Sequence, residues 1–134
     1  MSEIQKVAKK VLKDESEGIE LLKVFFDDNF SSAIQKILDI KGKVIVTGVG
    51  KSGHIGKKIS ATLSSTGTPS YFVHPTEASH GDMGMVGSED IIFAISWSGE
   101  TSELSDIIHF SKENNIGLIS LTSSSNSLLS QSSD

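Results

Sequence analysis

Several residue types are absent or scarce in this chain, and each absence excludes a class of protein. The 134 residues contain no cysteine, two prolines, one tryptophan and one tyrosine. Without cysteine, the chain has neither a disulfide framework nor a thiolate metal site. It has no apolar run of the length that crosses a membrane, and its first residues lack the apolar core of a signal peptide. The sequence therefore predicts a cytoplasmic protein with no membrane partner.

Positive charge is also scarce, because 12 Lys and Arg residues stand against 17 Asp and Glu residues, for a net charge of −5. The lysines are spread along the chain and form no basic stripe, which argues against nucleic acid as a partner. The hydrophobic content of 37% is enough to bury one core. We therefore expect a compact domain whose ligand is a small anion.

The spacing of apolar residues predicts two helices followed by strands that alternate with helices. The first helix is predicted over residues 4–26, and the second from a cap at Asn29 to Gly42. Buried strands are predicted at residues 44–46, 71–73, 90–95 and 117–121. This alternation is typical of a doubly wound parallel sheet in a three-layer α/β/α sandwich, with ligands at the carboxyl ends of the strands. We predict that residues 1–42 are helices packing on a sheet domain of residues 43–134.

The first predicted strand leads into a glycine-rich turn, GVGKSGHIG at residues 48–56, and then into a helix-like segment. Glycines let such a turn bend tightly and approach a ligand, while the N–H groups at the start of the helix attract an anion. Gly50, Lys51 and Ser52 are therefore candidate phosphate ligands. Glycines in this position also serve packing alone, so a second, matching loop strengthens the phosphate interpretation.

That second loop follows the third predicted strand, at the same edge of the sheet, and reads SWSGETSE at residues 96–103. Its hydroxyls and the N–H groups of the next helix are typical phosphate ligands. Each helix terminus contributes only about 0.3–1 kcal/mol, so several donors must converge. The candidate ligands here are Ser96, Ser98, Gly99, Glu100 and Thr101. Ser98 and Thr101 are also residues that cap helices, which is compatible with phosphate binding.

Two nucleotide-binding motifs are superficially similar to residues 48–53, and both fail in detail. A P-loop has a glycine five residues before its Gly-Lys-Ser, where this chain has Ile45. The dinucleotide pattern GxGxxG is matched, but His74 and Pro75 stand where an acidic residue is expected after the second strand. We therefore expect a phosphate ligand without a nucleotide.

Four segments form a dense and specific set: GVGKSGHIG at 48–56, STGTP at 65–69, FVHP at 72–75 with HGD at 80–82, and SWSGETSE at 96–103. Together they resemble the D-arabinose 5-phosphate isomerases, which contain a sugar isomerase (SIS) domain. The resemblance is strong from Lys43 to Leu121 and weaker in the first helix. It implies a five-stranded parallel sheet flanked by helices, a homotetramer, and a pair of CBS domains that often follows.

By this resemblance, the activity is the reversible conversion of ribulose 5-phosphate to arabinose 5-phosphate through an enediolate, which feeds synthesis of the lipopolysaccharide sugar Kdo. Glu103 matches the family's catalytic glutamate, whose carboxylate moves a proton between neighbouring carbons. Lys51 matches the catalytic lysine, which either stabilises negative charge on a substrate oxygen or binds phosphate. By residue type alone, a surface carboxylate and a phosphate anchor are the more frequent roles.

The resemblance implies no required cofactor. His80, which stands between Glu77 and Asp82, lies where the family can bind an inhibitory zinc ion. One histidine with nearby carboxylates is ordinarily not a metal site, because zinc sites have at least three protein ligands. Trp97 departs from the small or polar residue usual in the family, and it either restricts the substrate or packs under the loop.

One departure from the family concerns the last part of the chain. The family's further catalytic glutamate and histidine follow the fourth strand, and this chain ends at Asp134, before a fifth strand. We expect a truncated sheet with an exposed apolar edge at Leu118, Ile119 and Leu121, and a chain that alone binds sugar phosphate weakly without turnover. Three functions stay open: this isomerase, a non-catalytic sugar-phosphate-binding module, and an isomerase of another sugar phosphate.

Overall fold

The computed structural model describes residues 2–134, and the chain divides into two units, Met1–Gln35 and Lys36–Asp134. The first unit contains α1 (Glu3–Leu21), a 3-10 helix (Leu22–Phe25) and the start of α2 (Asp28–Asp39). α1 begins with a capping box in which the Ser2 and Gln5 side chains each accept the other's backbone N–H. No residue of α1 is buried. In the described residues, none of the helices is long and apolar enough to cross a membrane.

The single long helix predicted over residues 4–26 is wrong beyond Leu21. There the backbone tightens into the 3-10 helix, and Phe26 leaves helical geometry, with φ −83° and ψ 59°. The β-branched and aromatic side chains of residues 24–26 lower helix propensity, so the α-helical hydrogen bonds end before them. The apolar stripe continues across this change, which is why spacing alone does not reveal it.

The predicted ends of the second helix are also wrong. Asn29 lies inside the first turn, and the carboxylate of Asp27 accepts the backbone N–H of Phe30 at 2.9 Å. The helix ends before Gly42. Gly42 instead lies against another turn of the chain, where an added Cβ would be 2.6 Å from the Glu89 carbonyl oxygen. The packing of residues 1–42 on the sheet domain stays a prediction.

The second unit is built on a parallel sheet, as predicted. Its strands are β1 (Val44–Gly48), β2 (Ser70–Val73), β3 (Ile91–Ile95) and β4 (Gly117–Leu121), in the order β2-β1-β3-β4. Every pairing is parallel, and Val46 of β1 lies between Phe72 of β2 and Phe93 of β3. The strand order changes direction between β1 and β3, which makes the sheet doubly wound.

Helices cover both faces of the sheet and give the predicted three layers. They are α3 (Gly50–Ser65), α4 (Pro75–Ser79), α5 (Ser105–Asn114) and α6 (Leu128–Ser132). α3 packs against β1 and β2 on the face of Val46 and Phe72. Side chains alternate across a strand, so Ile45 points to the opposite face, where it joins Ile92 and Ile107 of α5 in the main core.

Residues 75–85 contain α4 and a second 3-10 helix, Asp82–Met85. Pro75 suits the first position of a helix, and Nδ1 of the His74 ring accepts the Thr76 backbone N–H at 3.3 Å. α4 has only five residues. Such a short helix shows no apolar period in the sequence, so pattern reasoning misses it.

The exposed apolar edge predicted at β4 is present only in part. Leu118 and Ile119 are buried, whereas Leu121 is 52% exposed. α6 follows a cap at Ser127, and beyond it Asp134 reaches β4. The Asp134 N–H donates to the Leu118 carbonyl at 3.0 Å, and Oδ2 of Asp134 accepts the Leu118 N–H at 3.2 Å. The backbone N–H and the carboxylate of Asp134 therefore provide partners for some of the backbone hydrogen-bonding groups at the edge of β4.

Candidate active site

The two polar loops lie side by side at the carboxyl edge of the sheet. The first follows β1 and the second follows β3, and Gly48 and Ile95, the last residues of those strands, are register partners. The strand order changes direction between these two strands, which is where open α/β sheets bind ligands. The topology therefore brings the two predicted phosphate-binding segments to one place.

The first loop leaves the start of α3 open. α3 begins at Gly50, after the extended residue Val49, and no side chain caps it. The first N–H groups of an uncapped helix lack partners and carry partial positive charge. Lys51 is exposed and Ser52 is half-buried in this turn. This end of the helix can therefore hold an anion.

The glycines of the first loop serve two different purposes. Gly53 and Gly56 permit close packing, because an added Cβ would lie 2.7 Å from the Gly48 carbonyl oxygen and 3.0 Å from the Phe72 ring, respectively. Gly50 is different: its φ is 57°, and no heavy atom lies within 4 Å of an added Cβ. Packing alone therefore explains Gly53 and Gly56, whereas Gly50 faces open space.

Hydrogen bonds inside the second loop fix its shape. The buried Ser96 hydroxyl accepts the Gly99 N–H at 3.0 Å and lies 2.7 Å from the Thr101 hydroxyl. Ser98 Oγ accepts the Glu100 N–H at 3.2 Å. A hydroxyl that accepts a hydrogen bond keeps its own proton. Ser98, and one hydroxyl of the Ser96–Thr101 pair, can therefore still donate to an anion.

The alternative in which Ser98 and Thr101 cap the following helix is wrong. α5 begins only at Ser105, after a 3-10 helix (Ser102–Leu104), and Thr101 makes no side-chain capping bond. The Ser98 hydroxyl bonds within the loop. The Leu104 N–H donates to the Thr101 carbonyl at 3.0 Å, so the tighter turn satisfies the backbone where a cap was expected.

Residues near the end of the chain stabilise the second loop by hydrogen bonds. Oε1 of Glu100 accepts the Leu128 N–H at 2.8 Å, at the start of α6. The Trp97 carbonyl accepts the backbone N–H of Ser123 at 3.0 Å and its hydroxyl at 2.7 Å. The Trp97 side chain is 81% exposed. Packing of Trp97 under the loop is therefore wrong, since only its backbone is held.

Glu103 lies on the 3-10 helix after the second loop and is exposed. A hydrogen bond from its own backbone N–H lowers the pKa of Glu103 from 4.5, and the Ser102 hydroxyl, which donates to Oε2 at 3.0 Å, adds to this effect. The nearby His74 ring lowers the pKa further. Glu103 is therefore ionised at neutral pH and can accept a proton, although these interactions make it a weaker base.

Three basic side chains near this edge, His54, Lys57 and His74, are not identified as site residues by the sequence patterns. Together with Gly50, Gly53 and Phe72, they line a groove of about 240 Å³. His74 directly follows β2, and residues that follow parallel strands lie at the ligand-binding edge of the sheet. The place of His74 directly after a predicted strand is therefore the sequence signal that could identify it as a residue near the site.

His80 lies at the end of α4 and is exposed. Within residues 2–134, no group of three or more His, Cys, Asp or Glu side chains is arranged to hold a metal ion. The surroundings of His80 therefore do not make a complete zinc site in the described part of the chain. Zinc binding at His80 stays a prediction.

Comparison with known proteins identifies relatives along nearly the whole chain. The family model of the SIS domain matches residues 36–134. Arabinose 5-phosphate isomerases KdsD of Shigella flexneri and Yersinia pestis are 46% and 47% identical over 132 residues, which is 98% of this chain and 40% of each relative. The chain thus spans about two fifths of the length of these curated relatives.

Solved structures agree with the sheet and its flanking helices. A protein of Escherichia coli CFT073 in complex with arabinose 5-phosphate has a TM-score of 0.88 and 40% identity, over 100% of this chain and 72% of that chain. A Listeria monocytogenes protein of proposed sugar-phosphate isomerase activity has a TM-score of 0.92 and 28% identity, with the same coverage of 100% and 72%. These findings confirm the resemblance seen in the sequence, and the chain belongs to the SIS domain family.

Proposed function

We propose that this protein is an aldose–ketose isomerase that interconverts ribulose 5-phosphate and arabinose 5-phosphate. The observation that carries the proposal is the identity of 46% and 47% to arabinose 5-phosphate isomerases over 98% of the chain. The related structure with bound arabinose 5-phosphate supports the same substrate class. A further support is that an uncapped helix start and an ionised carboxylate lie at one edge of the sheet.

In this proposal the substrate's phosphate binds between the two loops. Gly50 and Ser52 offer backbone N–H groups at the uncapped start of α3. The second loop contributes hydroxyl donors from Ser98 and from the Ser96–Thr101 pair, while Gly99 and Glu100 hold the loop in shape through their own hydrogen bonds. One helix terminus supplies only about 0.3–1 kcal/mol at an exposed site, so both loops are needed to hold a dianion.

Glu103 transfers the proton. Its carboxylate removes a proton from the carbon beside the carbonyl, an enediolate forms, and the proton returns to the neighbouring carbon. Lys51 stabilises the developing negative charge on a substrate oxygen or binds the phosphate. A substrate that displaces water from Glu103 raises the pKa of its carboxyl and so strengthens it as a base.

Turnover by the complete gene product tests the proposal. We expect interconversion of arabinose 5-phosphate and ribulose 5-phosphate, with much slower conversion of hexose phosphates. Faster conversion of a hexulose 6-phosphate would indicate an isomerase of another sugar phosphate. Binding of sugar phosphates with no turnover of any would identify a non-catalytic module.

A non-catalytic sugar-phosphate-binding module is the second candidate. The chain spans 40% of its curated relatives, and Glu103 is exposed with a lowered pKa, which weakens it as a base. We expect residues 1–134 alone to bind sugar phosphate weakly without measurable turnover, because groups that act as a unit lose nearly all activity when some are removed. Turnover by residues 1–134 at the rate of the complete gene product would contradict this expectation.

We also propose a cytoplasmic homotetramer that acts in a route to Kdo and lipopolysaccharide. Exposed apolar side chains in the N-terminal helices support self-association; they include Ile4, Val7, Val11, Leu12, Ile19, Phe25, Phe26 and Phe30. Light scattering on the complete gene product tests the assembly, and a monomer would contradict it.

Zinc inhibition that disappears in His80→Ala would support a zinc ligand at that position.

A further inference from the structure

The start of α6 is held in place by the core and by its own cap. Leu129, the second residue of α6, is fully buried in the main core, and Ser127, which precedes the helix, is also buried. The Ser127 hydroxyl accepts the Ser130 N–H at 3.3 Å and donates to the Ser124 carbonyl at 2.8 Å. This helix start is therefore a rigid support for whatever is bonded to it.

The first two N–H groups of α6 donate to the second loop. Oε1 of Glu100 accepts the Leu128 N–H at 2.8 Å, and the Gly99 carbonyl accepts the Leu129 N–H at 3.1 Å. The first N–H groups of a helix have no partner within it and carry partial positive charge, so a carboxylate is a favourable acceptor for them. Two adjacent residues of the loop are therefore bonded to two adjacent residues of α6.

These two hydrogen bonds act on the part of the second loop that carries the proposed phosphate donors. Ser98 directly precedes Gly99, and Thr101 directly follows Glu100. The Ser98 hydroxyl accepts the Glu100 N–H at 3.2 Å, while the Glu100 carboxylate is bonded to α6. Glu100 therefore links a proposed phosphate donor to the rigid start of α6.

The charge of Glu100 works against this role in an anion-binding loop. Glu100 is exposed, and in the part of the chain that the structure describes no lysine or histidine forms an ion pair with it. Its carboxylate repels an anion that binds beside it, and salt screens this repulsion over about 10 Å at 0.1 M. A neutral amide oxygen could accept the same hydrogen bond without repelling the anion.

We propose that Glu100 is a positioning residue with two opposed effects on phosphate affinity. Its hydrogen bond to α6 holds the second loop in the binding conformation, and its negative charge limits how tightly the phosphate is held. The inference rests on the proposed function, because it takes the phosphate position from it. Since substrate and product carry the same phosphate, both effects change uniform binding, which appears in KM and not in kcat.

Two conservative variants separate the charge from the hydrogen bond. Glu100→Gln keeps an oxygen that can accept the Leu128 N–H but removes the charge. Glu100→Asp keeps the charge, but its side chain is shorter by one carbon–carbon bond of about 1.5 Å, which moves the carboxylate out of hydrogen-bond distance. The proposal therefore predicts changes of opposite sign in the two variants.

The dissociation constant for inorganic phosphate measures both effects in the 134-residue chain, through the indole N–H signal of its single tryptophan, Trp97. At low salt, we expect Glu100→Gln to bind phosphate about twofold to fivefold more tightly, because a like charge is removed. Glu100→Asp should bind about threefold to tenfold more weakly, the usual effect of one lost hydrogen bond. In about 1 M NaCl, where charges are screened within about 3 Å, only the effect of Glu100→Asp should remain.

Glu113 provides the matched control for the change in net charge. It is exposed like Glu100 and lies in the last turn of α5, which runs back from the carboxyl edge to the opposite edge of the sheet. Glu113→Gln should leave the dissociation constant for phosphate unchanged. An equal gain in affinity in Glu113→Gln and Glu100→Gln would show that net charge alone is responsible and would overturn the proposal.

Kinetics of the complete gene product distinguish positioning from a merely structural role. We expect the KM for arabinose 5-phosphate to fall in Glu100→Gln and to rise in Glu100→Asp, with kcat nearly unchanged in both. A role in folding alone would lower the amount of active enzyme, so kcat would fall in both variants while KM stayed in place. That result would overturn the proposal.

The binding outcomes also separate this inference from the proposed function. Unchanged or weaker phosphate binding by Glu100→Gln at low salt would overturn the role of the charge, and unchanged binding by Glu100→Asp would overturn the role of the hydrogen bond. In both cases the phosphate site stands. If phosphate shifts neither the Trp97 indole nor the backbone amides of residues 96–101 in the unmodified chain, the phosphate site fails and this inference fails with it.

Hydrogen exchange of the Leu128 N–H checks the link to α6 without any ligand. Exchange should be slow in the unmodified chain and in Glu100→Gln, and faster in Glu100→Asp. Equal rates in all three chains would show that Glu100 does not hold the loop against α6. If Glu100→Asp unfolds, the phosphate affinity of Glu100→Gln at low and high salt still decides.

Discussion

The loops after β1 and β3 occupy neighbouring positions but are fixed by different physical means. The first is fixed by close packing, since Gly53 approaches the Gly48 carbonyl too tightly for any side chain. The second is fixed by hydrogen bonds among its own hydroxyl and N–H groups, with Ser96 buried at its centre. The first loop therefore presents backbone N–H groups to open space, and the second presents hydroxyl protons.

The loops also differ in the charge that they place at the sheet edge. Lys51 brings a cation on the first turn of α3, whereas Glu103 brings an anion on the turn after the second loop. Proton transfer next to a carbonyl needs both, because a carboxylate removes the proton while a cation stabilises the oxygen. Each loop alone supplies half of that chemistry.

The largest effect is expected for Glu103→Gln in the complete gene product. The amide keeps the shape of the side chain but cannot accept the proton, so turnover should fall about 10²- to 10⁴-fold. Phosphate affinity should remain nearly unchanged, because the second loop keeps its hydrogen bonds. Glu113→Gln, on the exposed side of α5, is the matched control. Retained turnover above about a tenth of normal would remove Glu103 from the role of base.

The two glycines of the first loop should respond differently to alanine. Gly53→Ala places a methyl group against the Gly48 carbonyl, which costs about 3 kcal/mol, less about 1 kcal/mol that alanine regains as the better helix former. Gly50→Ala meets no atom within 4 Å and only strains the backbone at φ 57°, by about 1 kcal/mol. Urea unfolding measures both values. A larger loss for Gly50→Ala would contradict the packing account.

The strands and the two loops could be predicted from sequence because their signals are local. Val44, Ile45 and Val46 form a consecutive β-branched run, which indicates a strand buried on both faces. A polar segment directly after such a strand must lie at the carboxyl edge of a parallel sheet. Strand identity and loop position therefore follow from residues that are neighbours in the chain.

The internal structure of the second loop and the groove depend on contacts between distant residues. Glu100 bonds to the backbone of Leu128, and an added Cβ at Gly99 would lie 2.0 Å from the Ser127 hydroxyl. His74 affects the pKa of Glu103, and α4, which begins directly after His74, packs on the 3-10 helix Ser102–Leu104 that carries Glu103. No periodicity in the sequence encodes these pairings, so neither the hydrogen bonds of the second loop nor the groove can be predicted from sequence patterns.

Two serines of the second loop should differ in stability. Ser96→Ala leaves the buried Gly99 N–H without its partner and should lower the free energy of unfolding by about 1–3 kcal/mol. Ser98 is exposed, so Ser98→Ala should change the free energy of unfolding by less than about 0.5 kcal/mol. Thermal and urea unfolding check both values. Equal losses in the two variants would show that the hydrogen bonds of Ser96 do not fix the loop.

The smallest expected effect concerns the pH dependence of kcat/KM, which should be shifted along the pH axis by the ionisation of Glu103. Hydrogen bonds from its own backbone and from Ser102 lower the pKa of Glu103 below 4.5, so the carboxylate stays ionised to a lower pH in the folded protein. The contribution of Glu103 to the acid limb of kcat/KM should therefore appear at lower pH than that of a glutamate without these hydrogen bonds. A lowered pKa also stabilises the folded state above the pKa of the unfolded chain, and this contribution is lost as the pH falls through the folded value.

Removing one of these hydrogen bonds should reverse the displacement. In Ser102→Ala the hydroxyl that donates to Oε2 is gone, so the pKa of Glu103 should rise toward 4.5 and the acid limb should move to higher pH. Ser105→Ala, in the first turn of α5, is the matched control and should leave the limb in place. NMR titration of the Glu103 carboxyl carbon gives the same answer without turnover, which separates ionisation from catalysis. If the acid limb of kcat/KM stays fixed or moves to lower pH in Ser102→Ala, the Ser102 hydroxyl does not lower the pKa of Glu103. The backbone N–H and His74 would then account for the lowered pKa.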